Sequence, residues 1–187
     1  LDTIGIQGGY YDAPEKSFDL EWAFIPYYYY EGAAIVPDTV KIEGELTKYV
    51  NDNIKVCLDS IDKGDFNLDY KTVRTTVKID SADVKFSIEM PISVSKDKKT
   101  VMFNLKDEPL YYAVPLTDIL SLGKYITDQA VKDDKRVCLT CIAREAENRK
   151  LTVDLVNLES AGTLVVISAN NTATGPYAFE FLNKYKV

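Results

Sequence analysis

The most specific motif in the sequence is a pair of cysteines three residues apart, Cys138-Leu139-Thr140-Cys141. In a helix this spacing places the two Cα atoms about 5 Å apart, which a disulfide bond can span. A thioredoxin-like redox site would require a buried strand leading into the motif, whereas residues 132–136 are all charged. The pattern therefore favours a structural disulfide or two unreactive thiols over redox catalysis.

The third cysteine, Cys57, falls on the apolar stripe of a predicted helix. We expect either a Cys138–Cys141 bridge or a bond from one of these two residues to Cys57. In each case one thiol is left over, unless its partner lies upstream of Leu1 or on another chain. Three cysteines and no histidine cannot complete a typical zinc site, and histidine-dependent catalytic triads are excluded. We predict no metal and no cofactor.

A run of four tyrosines, Tyr27–Tyr30, lies in a segment that is predicted to be extended. Pro26 interrupts this segment, and we expect an edge strand or a bulge there because proline cannot donate to a strand ladder. Successive side chains of a strand point to opposite faces. We therefore expect Trp22 to be mostly buried against the following helix, and Tyr27 and Tyr29 to point the other way. These two tyrosines are our candidate binding residues, since a tyrosine ring can stack on a sugar or contact a protein. A strand that is covered on both sides is the alternative.

Two further segments carry groups with known chemistry. The loop Asp62–Asp69 alternates oxygen-bearing side chains as calcium sites do. It lacks the glycine at the sixth position and the bidentate glutamate at the twelfth position that an EF-hand loop requires. We interpret it as a helix end followed by a strand. Asn170-Asn171-Thr172 is a glycosylation sequon in a predicted turn, with Asn170 as the acceptor. No pair of carboxylates stands out as a hydrolase site among the 29 acidic residues.

Hydrophobic periodicity predicts an α+β fold, with three main helices packed on antiparallel meanders. The predicted helices cover residues 38–61, 117–132 and about 138–148, and a short helix ends at Gly8-Gly9. We expect Thr117-Asp118 to cap the second main helix and Asp133-Asp134 to end it. The third is expected to bury one apolar stripe, namely Leu139, Ile142, Ala143 and Ala146. Alternating patterns predict strands at 73–79, 84–92, 101–105, 151–158, 163–169 and 177–185, with a turn at 96–99. We expect one domain over residues 1–187, with a division into 1–115 and 116–187 as the alternative.

The charge is distributed unevenly along the 187 residues. The net charge is −7, and residues 1–37 alone account for −5 of it. An acidic chain argues against nucleic acid as a partner, because a phosphate backbone requires a basic face. No apolar run in the sequence approaches the length of about 18 residues that spans a bilayer.

Several local patterns, in order, resemble a group of exported proteins of small-genome archaea. The patterns are residues 5–10 (GIQGGY), 25–30 (IPYYYY), 42–51 (IEGEL followed by YVN), 138–141 (CLTC) and 181–185 (FLNKY). The resemblance implies a pilin-like or single-pass anchored protein, with a hydrophobic helix upstream of Leu1 and the remainder outside the cell. It also implies a cysteine just before the segment that begins at Gly5. That cysteine is missing here, which would account for the odd Cys57. It supplies no catalytic residue.

These observations together predict an extracellular, membrane-tethered module with a structural or interaction role and no catalysis. Its expected partner is a protein or glycan at the cell surface, and an oligomer is compatible with this role. The alternative is a carbohydrate- or peptide-binding module that uses Tyr27–Tyr30. A carboxylate-based hydrolase ranks third, and would require a deep pocket with two carboxyl groups of raised pKa.

Overall fold

The computed structural model describes residues 1–133, 136–170, 172 and 175–185, and it confirms the predicted α+β class. Four α-helices lie in the described residues: α1 (Asp2–Ile6), α2 (Thr39–Ser60), α3 (Leu116–Lys132) and α4 (Leu139–Asn148). The strands are, in chain order, β1 (Ser17–Asp19), β2 (Phe24–Tyr30), β3 (Ala33–Ala34), β4 (Asn67–Tyr70), β5 (Arg74–Ile79), β6 (Val84–Glu89), β7 (Pro91–Lys96), β8 (Lys99–Asn104), β9 (Leu110–Tyr112), β10 (Thr152–Leu158), β11 (Gly162–Ala169) and β12 (Tyr177–Lys184).

The strands form three sheets. The largest, which we call the principal sheet, has the order β1-β2-β12-β11-β10, with β3 paired to β2. The hairpin sheet has the order β4-β7-β8, and the junction sheet has the order β5-β6-β9. All pairings within the described residues are antiparallel except one, the parallel pairing of β2 with β12. That parallel pair joins the beginning of the chain to its end.

Strand β2 lies inside the principal sheet and is not the edge strand that Pro26 suggested. Pro26 pairs with Ser17 of β1, and the ladder with β12 begins only at Tyr27, so the missing N–H of proline removes no bond from it. The register then shifts, because Leu182 opposes Tyr27 whereas Asn183 opposes Tyr29. The irregularity therefore lies between Tyr27 and Tyr29, after the proline, and the pairing of Pro26 itself with Ser17 is regular.

The main core lies between the principal sheet and the helices. Tyr28 stacks on Phe181 with ring centroids 4.2 Å apart, and its hydroxyl donates to the Gly8 carbonyl oxygen at 2.9 Å. A Cβ on Gly123 would lie 3.3 Å from the Phe181 ring, so this glycine lets α3 approach the sheet closely. The core includes residues from both sides of position 115, among them Ile4 and Leu122. The assignment of one domain or two stays a prediction.

Helix α2 begins as predicted, because the Asp38 carboxylate accepts a hydrogen bond from the Lys41 N–H at 2.7 Å. Its first half packs into the main core, and its second half packs under the hairpin sheet through Val50, Ile54 and Leu58. These three residues form one row at four-residue spacing. Cys57 lies beside that row and is exposed, so its predicted place on the apolar stripe is wrong.

The segment predicted as one strand over 84–92 consists of two strands, which belong to different sheets. Strand β6 pairs within the junction sheet and β7 within the hairpin sheet, and fully buried Met90 lies between them. The Met90 N–H donates to Asn104 Oδ1 at 3.0 Å, and the Met90 carbonyl accepts from the Leu105 N–H at 3.2 Å. The Asn104 side chain and the Leu105 backbone therefore satisfy the backbone of the residue where the chain changes sheets.

The helix α3 cap differs from the prediction. The helix begins at Leu116 after Pro115, and Thr117 donates its hydroxyl to the Asp80 carbonyl at 2.9 Å instead of capping. The expected break at Asp133-Asp134 agrees with the helix end at Lys132, although Asp134 lies outside the described residues. In α4 only Ile142 and Ala146 of the predicted stripe are buried, since a single row of this short helix faces the core.

Candidate interaction surfaces

The cysteine pair at the start of α4 forms a disulfide bond. Cys138 and Cys141 are bridged with their Cα atoms 5.2 Å apart, and Cys138 is the N-cap residue of the helix. Cys57 is a free, exposed thiol near the C-terminal end of α2. Of the two expected pairings, the structure therefore contains the local one, and the bond from Cys57 does not form.

The two candidate binding tyrosines are buried. Tyr27 and Tyr29 retain only 6% and 2% of their exposure. Tyr27 packs with Ile25 and Leu182 in a small cluster on the face of the principal sheet opposite the main core, and the Tyr29 ring lies 5.6 Å from the Tyr185 ring. The expectation that these rings form an open platform is wrong, because β2 is paired on both sides and both of its faces are covered.

Trp22 is 81% exposed, and the expectation that it packs against α2 is wrong. It lies in the tight turn between β1 and β2, where the Leu20 N–H donates to the Ala23 carbonyl at 2.8 Å. The Asp19 carboxylate accepts from the Glu21 N–H at 2.8 Å, and Glu21 has a φ of +69°. A residue at the tip of such a turn points into solvent. We call Asp19, Glu21 and Trp22 the tryptophan tip.

An apolar groove of about 330 Å³ runs between α2 and the junction sheet. Val50 and Ile54 line its helix side, and Phe86 and Ile88 line its sheet side. Cys57 borders the groove, as does the exposed Tyr111 ring. Sequence reasoning missed this groove because its two walls come from α2 and β6, which are separated by more than 20 positions in the sequence.

A second cavity, of about 640 Å³, opens beside the β7–β8 turn. Its apolar floor consists of Phe66, Val94 and Val101, of which Phe66 is 52% and Val101 is 64% exposed. Its rim carries Lys96, Lys98 and Lys99 together with Asp97. We call this feature the lysine-rimmed cavity. The sequence had indicated only a turn at this place, although the apolar run Val101-Met102-Phe103 directly after the lysines could have signalled an exposed patch.

One rim lysine is engaged and two are not. Lys96 Nζ lies 3.1 Å from Asp65 Oδ2 and 4.9 Å from the centroid of the Phe66 ring, so its charge is partly satisfied. Lys98 and Lys99 are exposed and take part in no ion pair with another of the described residues. Two positive charges without an acidic partner among the described residues therefore border an apolar floor.

The acidic groups do not assemble into a metal site in the described parts of the chain. No group of three or more Cys, Asp or Glu side chains could hold a metal ion there. In the calcium-like loop, Asp62 caps the Gly64 N–H at 3.0 Å and Asp65 binds Lys96.

Two carboxyl groups of the described residues have perturbed pKa values, and the two shifts are opposite in direction. Burial raises the pKa of Glu180. Burial would also raise the pKa of Glu45, but the Lys41 ammonium and two backbone N–H donors outweigh it and lower that pKa. The deep pocket with two carboxyl groups of raised pKa, which a hydrolase would require, is not found among the described residues.

The sequon lies at a surface turn. Asn170 follows β11 and is exposed, and the Thr172 hydroxyl donates to the Gly175 carbonyl. Asn171 lies outside the described residues. Asn170 is thus accessible in the way that glycosylation requires.

Comparisons with protein-family models, with curated proteins and with solved structures find no match to this chain. Across the residues that the structure describes, no helix is both long enough and apolar enough to cross a membrane.

Proposed function

We propose that this chain is an extracellular module with a structural or interaction role at the cell surface, tethered through a segment upstream of Leu1 and without catalytic activity. The observation that carries the proposal is the Cys138–Cys141 disulfide. Disulfides form and persist in oxidising compartments and are rare in reducing cytoplasm. The tether and the archaeal origin rest on the sequence resemblance alone.

Two further features support an interaction role. Large apolar side chains are exposed around the hairpin and junction sheets, among them Met102, Phe103 and Leu110. Clustered exposed apolar surface marks contact sites in soluble proteins. The partner that these surfaces favour is a protein, because the tyrosine rings that could have stacked on a glycan are buried. No observation favours the carbohydrate-binding alternative.

The proposal is tested by trapping the thiols of the protein in its source cells. Acid quenching followed by alkylation should modify Cys57 at once and Cys138 and Cys141 only after reduction, as read by the mass of the peptides. Labelling of intact cells with a membrane-impermeant amine reagent should reach Lys98 and Lys99, which are exposed. Three alkylated thiols, or lysine labelling only after lysis, would contradict an extracellular location.

A matched variant makes the thiol experiment quantitative. Cys138→Ser leaves Cys141 without its partner, so two thiols should now be modified before reduction. Cys57→Ser should leave none. A single modified thiol in Cys138→Ser would show that something other than the bridge to Cys138 protects Cys141.

A further inference from the structure

We propose that copies of this chain associate head to tail, with the tryptophan tip of one copy seated in the lysine-rimmed cavity of the next. The proposal rests on two complementary surfaces. One is the exposed, acidic and aromatic tip on the principal sheet, and the other is the basic cavity with an apolar floor on the hairpin sheet. The proposal goes beyond a general interaction role, because it names the partner as a second copy and names both contact surfaces.

The tip has the properties of an interface anchor. Trp22 is the only tryptophan of the chain, and tryptophan is enriched among residues that dominate binding energy. Two hydrogen bonds hold its turn, from the Leu20 N–H to the Ala23 carbonyl and from the Glu21 N–H to Asp19. The side chain is therefore presented on a turn that is already ordered, which reduces the entropy lost on binding.

The cavity matches the tip in size and in its apolar floor. Its volume of about 640 Å³ lies within the usual range of about 300–1,000 Å³ for binding pockets, and its floor is apolar. An indole ring on Phe66 and Val101 would cover apolar surface that is exposed in the single chain. The cavity also lies beside the free edge of β8, since β8 is the last strand of the hairpin sheet.

The charges on the two surfaces are opposite. Asp19 and Glu21 flank Trp22, and neither takes part in an ion pair within the described residues. Lys98 and Lys99 on the rim likewise have no acidic partner there, while Asp97 between them reduces the positive charge. Opposite charges around an apolar centre steer association and set its orientation.

The contact joins two different surfaces, so it is heterologous. In the single chain Trp22 is largely exposed, which means that it does not occupy the cavity of its own copy. A heterologous contact leaves one free tip and one free cavity after each addition, and it closes only as a ring or continues as an open chain.

The test is complementation between two variants in analytical ultracentrifugation. The wild-type protein should grow in mass with concentration. Trp22→Ala, which keeps the cavity, and Lys98→Glu/Lys99→Glu, which keeps the tip, should each remain monomeric. An equimolar mixture should form a 1:1 heterodimer and nothing larger, because only one competent tip and one competent cavity meet. Addition of salt should weaken this heterodimer.

Fluorescence and a control variant complete the test. Emission from Trp22 should be red-shifted and quenched by iodide in dilute solution, and should shift to the blue on association. Lys71→Glu/Lys106→Glu changes two exposed lysines outside the cavity and should associate like the wild type. The proposal is overturned if the wild type stays monomeric up to millimolar concentration, if Trp22→Ala associates as the wild type does, or if the mixture stays monomeric. All substituted side chains are exposed, so unchanged circular dichroism is expected for each variant.

Discussion

The principal sheet and the hairpin sheet are both built from alternating apolar residues, yet they bury them to different extents. In β12, Phe179, Phe181 and Leu182 are inaccessible to solvent. In β8, Val101, Met102 and Phe103 are all exposed. Strand β12 has paired neighbours on both sides and helices packed over it, whereas β8 is an edge strand. The difference indicates that the first sheet carries the stability and the second offers contact surface.

On the apolar face of the hairpin sheet, burial ends between β7 and β8. Ile92 and Val94 of β7 reach the apolar cluster that packs on α2. Phe103 and Val101 are their cross-strand partners in β8 and lie outside that cluster. Cross-strand partners share one face of a sheet. The apolar face therefore continues past the residues that α2 covers, and Val101 in the uncovered part belongs to the floor of the lysine-rimmed cavity.

Truncation of one phenylalanine in each sheet should give the largest contrast. Phe181→Ala should destabilise the protein by about 3–5 kcal/mol, because a fully buried ring stacked on Tyr28 is lost. Phe103→Ala, at a side chain that is 47% exposed, should change the free energy of unfolding by less than about 1 kcal/mol. Urea denaturation measures both. Equal losses would contradict the assignment of stability to the principal sheet.

A second comparison, between Glu45 in the first half of α2 and Asp59 in the second half, concerns the free energy of unfolding and its dependence on pH. Its buried carboxylate accepts from the Tyr11 and Asp12 N–H groups at 2.9 and 3.1 Å and pairs with Lys41 at 2.6 Å. Glu45→Gln should therefore lower the free energy of unfolding by about 1–3 kcal/mol at pH 7. Asp59→Asn, in the second half of the helix, is the control, since Asp59 is exposed and its bond to the Tyr70 hydroxyl is a surface contact.

The sign of the pH effect follows from the lowered pKa of Glu45 in the folded protein. The unfolded chain binds a proton more readily, so the stabilisation is present above the unfolded pKa of about 4.3 and is lost as the pH falls through the folded pKa. The difference between wild type and Glu45→Gln should shrink on acidification below that range. A difference that is constant from pH 7 to pH 3 would show that the charge of Glu45 does not matter.

Loss of the disulfide should have a smaller effect. The bridge closes a loop of only four residues, for which the chain-entropy relation gives about 2 kcal/mol at most. Cys138→Ser/Cys141→Ser should thus unfold at slightly lower urea concentration, with Cys57→Ser unchanged as the matched control. Failure of the double variant to fold would mean that α4 and the adjoining β10 depend on the bridge.

Trp22→Ala should have the smallest effect on the stability of the single chain, within about 0.5 kcal/mol, because the side chain is exposed. Thermal unfolding at low protein concentration measures it. A large loss would place the indole in a packed environment and would restore the expectation drawn from the sequence.

The sequence predicted local elements well and long-range placement poorly. The last three strands agree with β10, β11 and β12 to within about one residue at each end, because alternation and glycine- or asparagine-rich turns are local signals. The parallel pairing of β2 with β12 joins residues more than 150 positions apart, and no local pattern encodes it.

The burial of Tyr27 and Tyr29 follows from that long-range pairing, and so its prediction failed with it. The prediction that Trp22 is buried failed for a different reason. It assumes that the alternation of a strand continues through residues 20–23, but these residues form a turn. The alternation of faces along a strand does not carry across a turn. Both errors concern candidate binding residues.

At Met90 the chain passes from the junction sheet to the hairpin sheet, and this passage should affect hydrogen exchange in both sheets. One uninterrupted run of chain, from β6 through Met90 to β7, supplies the central strand of both small sheets, and Asn104 and Leu105 hold its midpoint. Because the Asn104 side chain and the Leu105 backbone bind the residue that joins the two central strands, we expect β6 and β7 to be released together. The backbone amides of β5 and β4 should therefore exchange through one shared opening, with equal free energies and equal denaturant dependence, although they lie in different sheets. Asn104→Ala should separate them into two independent classes.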